Sequence, residues 1–327
     1  MGIFIQSVGG FAPEKIVTND DLAVTLETSD EWIYSHTGIK RRHIADDDVF
    51  ASDLGIIAAK SALDNGNIDP ESIDMIVLAT STPDYFAYPN TASLVQHSIG
   101  AVNAGAVDIS AACSGFIYAL EIARGMILAN TAGKVLVVGA ETNSKILNWK
   151  DRNTCVLFGD AAGAAVLSKT DNNESDIIKT ILKAEGDGAH ALMVKAGGCR
   201  HAVDSPGITE EDRYVSMDGR KVYNFAVRAN TELIQNLLDS QNMKASDLAY
   251  IIPHQANIRI IQAAAKRLGL PDDLFFSNMH EYANTSAASI PLALNDMINR
   301  NLLKRGDNLL LLGFGAGLTY GGTFLRW

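Results

Sequence analysis

Nearly unbroken apolar stretches alternate along the chain with segments whose apolar residues recur every three or four positions. Residues 73–80 (IDMIVLAT) are of the first kind and predict a buried strand. Residues 52–65 are of the second, with Leu54, Ile57, Ala58 and Leu63 on one helical face. Further strands are predicted at 106–109, 135–138 and 161–167. Strands that are apolar at successive positions need cover on both faces, which points to an α/β protein with helices on either side of its sheets.

The order of elements then repeats. A strand at 73–80 precedes a small-residue helix start, Ala111-Ala112-Cys113-Ser114-Gly115. A helix to about 129 and a strand at 134–138 follow. In the second half a strand at 249–253 precedes Ala283-Asn284-Thr285-Ser286, a helix to about 301 and a strand at 308–312. From Cys113 to Lys134 is 21 residues and from Asn284 to Gly306 is 22, so order and spacing agree and an internal duplication is expected. The polar stretch 170–176 (TDNNESD) is the natural boundary, giving halves of 1–170 and 171–327.

A chain of 327 residues is long enough for two such halves. Its net charge of −11 repels phosphate backbones, which argues against nucleic-acid binding. Three cysteines, Cys113, Cys155 and Cys199, form no CxxC pair and are too sparse and odd in number for a disulfide framework, so a reducing, cytoplasmic setting is expected. The first residues (MGIFIQSVGG) lack the pattern of a signal peptide, and no apolar run approaches the ~18 residues of a membrane span.

Three residues invite chemistry. Cys113 follows an apolar strand and opens a helix, where the positive end of the helix dipole favours a thiolate and backbone N–H groups can receive an oxyanion. The plainer alternative is a buried, inert cysteine. His254, in Pro253-His254-Gln255-Ala256-Asn257, ends a buried strand, where α/β sheets present residues to ligands; it is equally at home as a satisfied strand-end histidine. Asn284 opens the duplicated helix at the position matching Cys113, either as a cap or as a site residue. If the halves pack about a pseudo-two-fold axis, all three converge on one pocket. No other histidine has metal-ligand spacing, so no metal site is expected. The segment 313–318 (GFGAGL) has its third glycine misplaced for a dinucleotide fingerprint and reads instead as a tight turn that lets backbone approach a ligand. The order Cys, His, Asn also occurs in papain-like proteases, but their signature around the cysteine is missing here.

At these residues the sequence resembles the β-ketoacyl-[acyl carrier protein] synthases III of the thiolase superfamily. The resemblance spans essentially the whole chain, through 28–39 (TSDEWIYSHTGI), 108–118 (DISAACSGFIY), 158–167 (FGDAAGAAVL), 217–228 (MDGRKVYNFAVR), 253–260 (PHQANIRI), 284–291 (NTSAASIP) and 313–321 (GFGAGLTYG). It implies a five-layered αβαβα body of two duplicated halves, usually a homodimer. It also implies a ping-pong decarboxylative Claisen condensation of a short acyl-CoA such as acetyl-CoA with malonyl-acyl carrier protein, initiating fatty-acid synthesis without a metal or other cofactor. A related synthase of a specialised metabolite pathway, with another primer or acceptor, is the alternative.

In that resemblance Cys113 carries the acyl group, while His254 and Asn284 stabilise the enolate left by decarboxylation. The N–H groups of Cys113 and Gly317 form the oxyanion hole. Trp32 and Arg152 clamp the CoA adenine, and Gly219 and Asn257 line the pantetheine arm. Arg259, Lys266 and Arg267 dock the acidic carrier protein. Phe158 lines the acyl pocket, and Tyr88 reaches the partner's. Four positions depart from the family pattern: His36 for a usual Arg, Asn224 for a basic residue, Ala283 for Gly and Tyr320 for Trp. They bear on primer choice and carrier docking and leave Cys113, His254 and Asn284 intact.

Overall fold

A computed structural model describes residues 2–171 and 175–327. Positions 172–174 of the expected boundary segment lie outside the described residues. The first sheet runs in the order Gly2–Phe11, Ala161–Thr170, Lys134–Glu141, Met75–Ala79, Gly105–Ile109. The last three strands are parallel and the first two antiparallel to their neighbours. The second sheet runs Tyr250–Pro253, Asn308–Gly315, Thr319–Arg326, Asp176–Ala184, with one parallel pair and two antiparallel pairs.

Five layers result. Helices Ala51–Gly66 and Thr91–Ile99 cover the outer face of the first sheet, and Gly219–Ser240 and Ile258–Leu268 that of the second. Between the sheets lie Gly115–Leu128 and Ser289–Asn299, touching strands of both. The buried core divides accordingly. One cluster (Phe116, Leu120, Ala287, Ile290, Leu294 and the inner faces of both sheets) fills the middle, and one further cluster lies under each outer layer. The middle helices are apolar around most of their circumference because both faces are covered.

The predicted strands fall where expected, lengthened or trimmed by one to three residues. The helix starts differ from the reading above. Each begins as a short 3₁₀ turn, Ala112–Ser114 and Ser286–Ala288, before the α-helix proper at Gly115 and Ser289. Each turn carries a non-glycine residue in the left-handed region, Ala112 (φ 46°) and Ser286 (φ 49°). Ala112 and Ser286, Gly115 and Ser289, and the strand starts Lys134 and Asn308 are each 174 residues apart. By that spacing the counterpart of Cys113 is Ala287. Asn284 sits three residues earlier, at the position of Ser110. Composition alone hid this offset, because both starts are runs of small residues.

Candidate active site

The strand Gly105–Ile109 delivers the chain to the turn that carries Cys113. The turn is fixed by the Ser114 hydroxyl, which donates to the Ala111 carbonyl at 2.8 Å, and by Thr319 Oγ1, which reaches the same carbonyl at 3.0 Å. Strand Asn308–Gly315 passes directly beneath. A Cβ on Gly315 would stand 2.6 Å from the Cys113 nitrogen and 3.1 Å from its Cβ, and one on Gly313 would stand 2.9 Å from Ser114 Cα. Only glycine allows this approach. Cys113 itself is 6% exposed. Burial pushes its thiol up to about 12, aided by the nearby Glu141 carboxylate and opposed by the Ser286 hydroxyl. The thiolate expected from the helix dipole is therefore not the resting form: desolvation outweighs the dipole.

Two cavities meet at Cys113. One, of about 180 Å³, is lined by Cys113, His254, Asn284, Gly219, Asn257 and Phe158, among others. The other, of about 260 Å³, is lined by Cys113, Phe158, Leu192, Ser81, Asn143 and Ala316, among others. The three residues singled out from sequence thus line one cavity. His254 follows the last residue of strand Tyr250–Pro253, and its N–H donates to Leu312 O at 2.7 Å. Its Nδ1 meets Ser289 Oγ at 2.7 Å, and its ring lies edge-on to Phe314. Burial lowers its pKa from 6.5 to about 3, so the ring is neutral. Asn284 is tied to the first half through Asn284 N to Leu157 O (2.9 Å) and Gly159 N to Asn284 O (3.0 Å). Its Oδ1 accepts from Ser286 N at 2.9 Å, which turns the amide NH₂ away from that bond.

The remaining candidates divide. Asn257 caps the helix Ile258–Leu268, Gly219 opens Gly219–Ser240, and both face the smaller cavity. The Arg152 guanidinium lies 4.8 Å from the Trp32 ring centroid, in direct cation–π contact, and His36 stacks on Trp32 at 4.4 Å. His36 is thus part of the aromatic stack. Arg259, Lys266 and Arg267 are exposed on one helix, Arg259 also bonding Ser35 O. Tyr88 is 86% exposed and lines neither cavity at Cys113. Gly317 also lines neither, whereas Gly315 and Ala316 do. The part of this turn that borders the cavities at Cys113 is therefore Gly315 and Ala316. A larger cavity, about 720 Å³, opens elsewhere, beside Glu185, Arg228 and Arg267. No group of three or more His, Cys, Asp or Glu residues is placed to hold a metal among the described residues.

Sequence reasoning passed over Ser286, Ser289 and Glu141. The two serines lie inside the NTSAASIP motif, where they read as small helix-start residues. Glu141 carried a visible signal: it is a carboxylate ending the apolar strand Lys134–Glu141, and it is fully buried.

A five-layered fold that brings a cysteine at one helix start, a histidine and an asparagine to one cavity is that of the thiolase-like enzymes. Comparison with known proteins sharpens this. Residues 107–186 match the family described as 3-oxoacyl-[acyl-carrier-protein (ACP)] synthase III, and residues 238–327 match its C-terminal counterpart. The β-ketoacyl-[acyl-carrier-protein] synthase III of Clostridium tetani is 46% identical over 332 residues, covering 99% of this chain and 98% of that protein. Crystal structures of the 3-oxoacyl-[acyl-carrier-protein] synthase III from Aquifex aeolicus (43% identical, TM-score 0.91, 100% of both chains) and from Pseudomonas aeruginosa PAO1 (41%, TM-score 0.92, 100% and 98%) share the fold. The chain belongs to the β-ketoacyl-[acyl-carrier-protein] synthase III family of condensing enzymes. No helix among the described residues is long and apolar enough to cross a membrane.

Proposed function

We propose that the chain initiates fatty-acid synthesis by condensing a short acyl-CoA, acetyl-CoA first among them, with malonyl-acyl carrier protein. The observation that carries this reading is the single cavity lined by Cys113, His254 and Asn284, with the latter two each held by a hydrogen bond to a serine of the same motif. Cys113 Sγ attacks the thioester carbonyl and CoA leaves, giving an acyl-cysteine. The N–H groups of Cys113 and Ala316 receive the carbonyl oxygen. Malonyl-acyl carrier protein follows, and loss of CO₂ leaves an enolate. A neutral His254 that accepts from Ser289 at Nδ1 carries its proton on Nε2, so imidazole and amide present two donors to the enolate oxygen. The carbanion then takes the acyl group from Cys113.

Trp32 and Arg152 hold the CoA adenine, and Gly219 and Asn257 flank the pantetheine arm. The exposed cations Arg259, Lys266 and Arg267 receive the acidic carrier protein. Phe158, with Leu192, bounds the acyl pocket. Tyr85, Phe86 and Tyr88, exposed by 54%, 68% and 86%, form an apolar patch that fits a homodimer contact. No metal or other cofactor enters the scheme, and a buried free thiol suits a reducing cytoplasm.

The test is intact-protein mass after incubation with acetyl-CoA, followed by peptide mapping. One acetyl group on Cys113, missing in Cys113→Ser, is the expected result. Labelling by longer acyl-CoAs only would move the primer, and no label from any acyl-CoA would remove the reading.

A further inference from the structure

Acylation requires the Cys113 proton to go somewhere, and the groups already assigned do not supply an obvious acceptor. His254 is engaged with Ser289 through Nδ1, and its other nitrogen is needed as a donor in the later step. Ser286 lines, together with Cys113, the larger of the two cavities, and its hydroxyl is a hydrogen-bond partner of the thiol. That hydroxyl donates to Glu141 Oε1 at 2.9 Å. Glu141 is 0% exposed, and the mechanism above does not use it.

All the partners of Glu141 are uncharged, and all donate. Ser81 N reaches both carboxylate oxygens at 3.1 and 3.0 Å. Thr82 Oγ1 donates at 2.8 Å, Thr80 Oγ1 at 3.4 Å and Ala287 N at 3.5 Å. The Thr80 and Thr82 hydroxyls each accept a backbone N–H in turn, from Thr82 N and Thr142 N, which turns their protons toward Glu141. A shell made of donors favours the carboxylate over the acid. Burial meanwhile pushes the Glu141 carboxyl above its ordinary range, which makes it a better base than a surface carboxylate. Cys113 is the titratable group that it faces.

We propose that Ser286 and Glu141 form a relay that accepts the Cys113 proton during acylation. The proposal rests on the acyl-cysteine reading above. As Sγ bonds to the thioester carbonyl carbon, its proton passes to Ser286 Oγ and the Ser286 proton passes to Glu141 Oε1. When the carbonyl–sulfur bond to CoA breaks, Ser286 Oγ gives its proton to the departing CoA thiolate and regains one from Glu141, so that CoA leaves as the thiol. Glu141 is again a carboxylate, and no proton is gained or lost overall. Ser286 exchanges protons with the reacting sulfurs in this scheme, and Glu141 is a positioning residue that acts only through Ser286.

The experiment measures two rates on the full chain and on Ser286→Ala and Glu141→Gln: acetylation of Cys113 by acetyl-CoA, and alkylation of Cys113 by iodoacetamide across pH. Acetylation should fall on the order of 10²-fold in both variants, with KM for acetyl-CoA within about twofold, as for loss of general-base assistance. Alkylation proceeds through the thiolate already present. Removing the negative charge of Glu141 stabilises that thiolate, so Glu141→Gln should alkylate faster at a given pH and its profile should move to lower pH. A merely structural defect would slow both reactions together. Unchanged acetylation in Ser286→Ala overturns the relay, as does parallel slowing of acetylation and alkylation in Glu141→Gln. If Glu141→Gln does not fold, Ser286→Ala alone decides. Absence of any adduct in the unaltered enzyme removes the acyl-cysteine reading and the relay with it.

Discussion

The turns at Cys113 and at Ala287 are the same piece of backbone used twice, 174 residues apart, and they differ in what lies beneath them. Glu141 and Gly315 are likewise 174 residues apart, each ending its central strand. Under the second turn the Glu141 carboxylate fills the space and accepts from Ala287 N. Under the first, Gly315 has no side chain and its backbone closes to van der Waals range of the Cys113 nitrogen. One turn sits over a buried carboxyl group held by uncharged donors. The other turn lies beside a cavity, which under the proposed function receives an oxygen that becomes negative only during reaction. The same backbone is thus set over a buried carboxylate in one copy and over a bare glycine in the other, so the copies differ in the residue below the turn as well as the residue on it.

The sharpest way to break this comparison is to move the thiol. Cys113→Ser should lose all acyl adduct, and adding Ala287→Cys should not restore it. Ala287 is 1% exposed in the central core and lines neither cavity at Cys113. Mass gain on that cysteine after acetyl-CoA would show the two turns to be interchangeable. Next in size, His254→Ala and Asn284→Ala should keep acetylation of Cys113 and lose malonyl decarboxylation by about 10²–10³-fold, as for removal of one oxyanion donor. Measured CO₂ release near the unaltered rate would reassign the second half of the site. Gly315→Ala should slow acetylation by roughly 10²-fold, since misplacing a reacting group by about 1 Å costs that much. Its Cβ has no room unless the Cys113 turn shifts. An unchanged rate would mean that the close approach is incidental.

The smallest effect concerns stability. The unfolded chain protonates His254 near pH 6.5, whereas the folded chain does so only near 3. The contribution of His254 is therefore intact above pH 6.5 and is lost as pH falls from 6.5 toward 3. A His254→Asn variant should show a smaller drop in Tm across that window than the unaltered protein. Parallel curves would mean that the ring is not held neutral.

The layered α/β architecture was legible because strands covered on both faces must be apolar at successive positions, as in 73–80 and 161–167. The convergence of Cys113, His254 and Asn284 was legible from the repeated order of elements. Three features were not. The register of the repeat, Cys113 with Ala287, depends on where a left-handed residue falls in a run of small side chains. The thiol's resting state depends on burial, which a helix-start argument omits. The choice of Ala316 over Gly317 depends on which way a glycine-rich turn faces. Each is settled by packing between segments far apart in sequence, as when Gly315 meets Cys113 across some 200 positions.

The placement of Cys113 between two cavities has a consequence for substrate traffic. If the acyl chain occupies the larger chamber beside Phe158 and Leu192, it can remain there while the smaller chamber, beside His254 and Asn284, is vacated and refilled. The pantetheine arms of CoA and of the carrier protein then use one doorway in succession. The strict alternation of substrates becomes a matter of occupancy, with a single passage enforcing the queue.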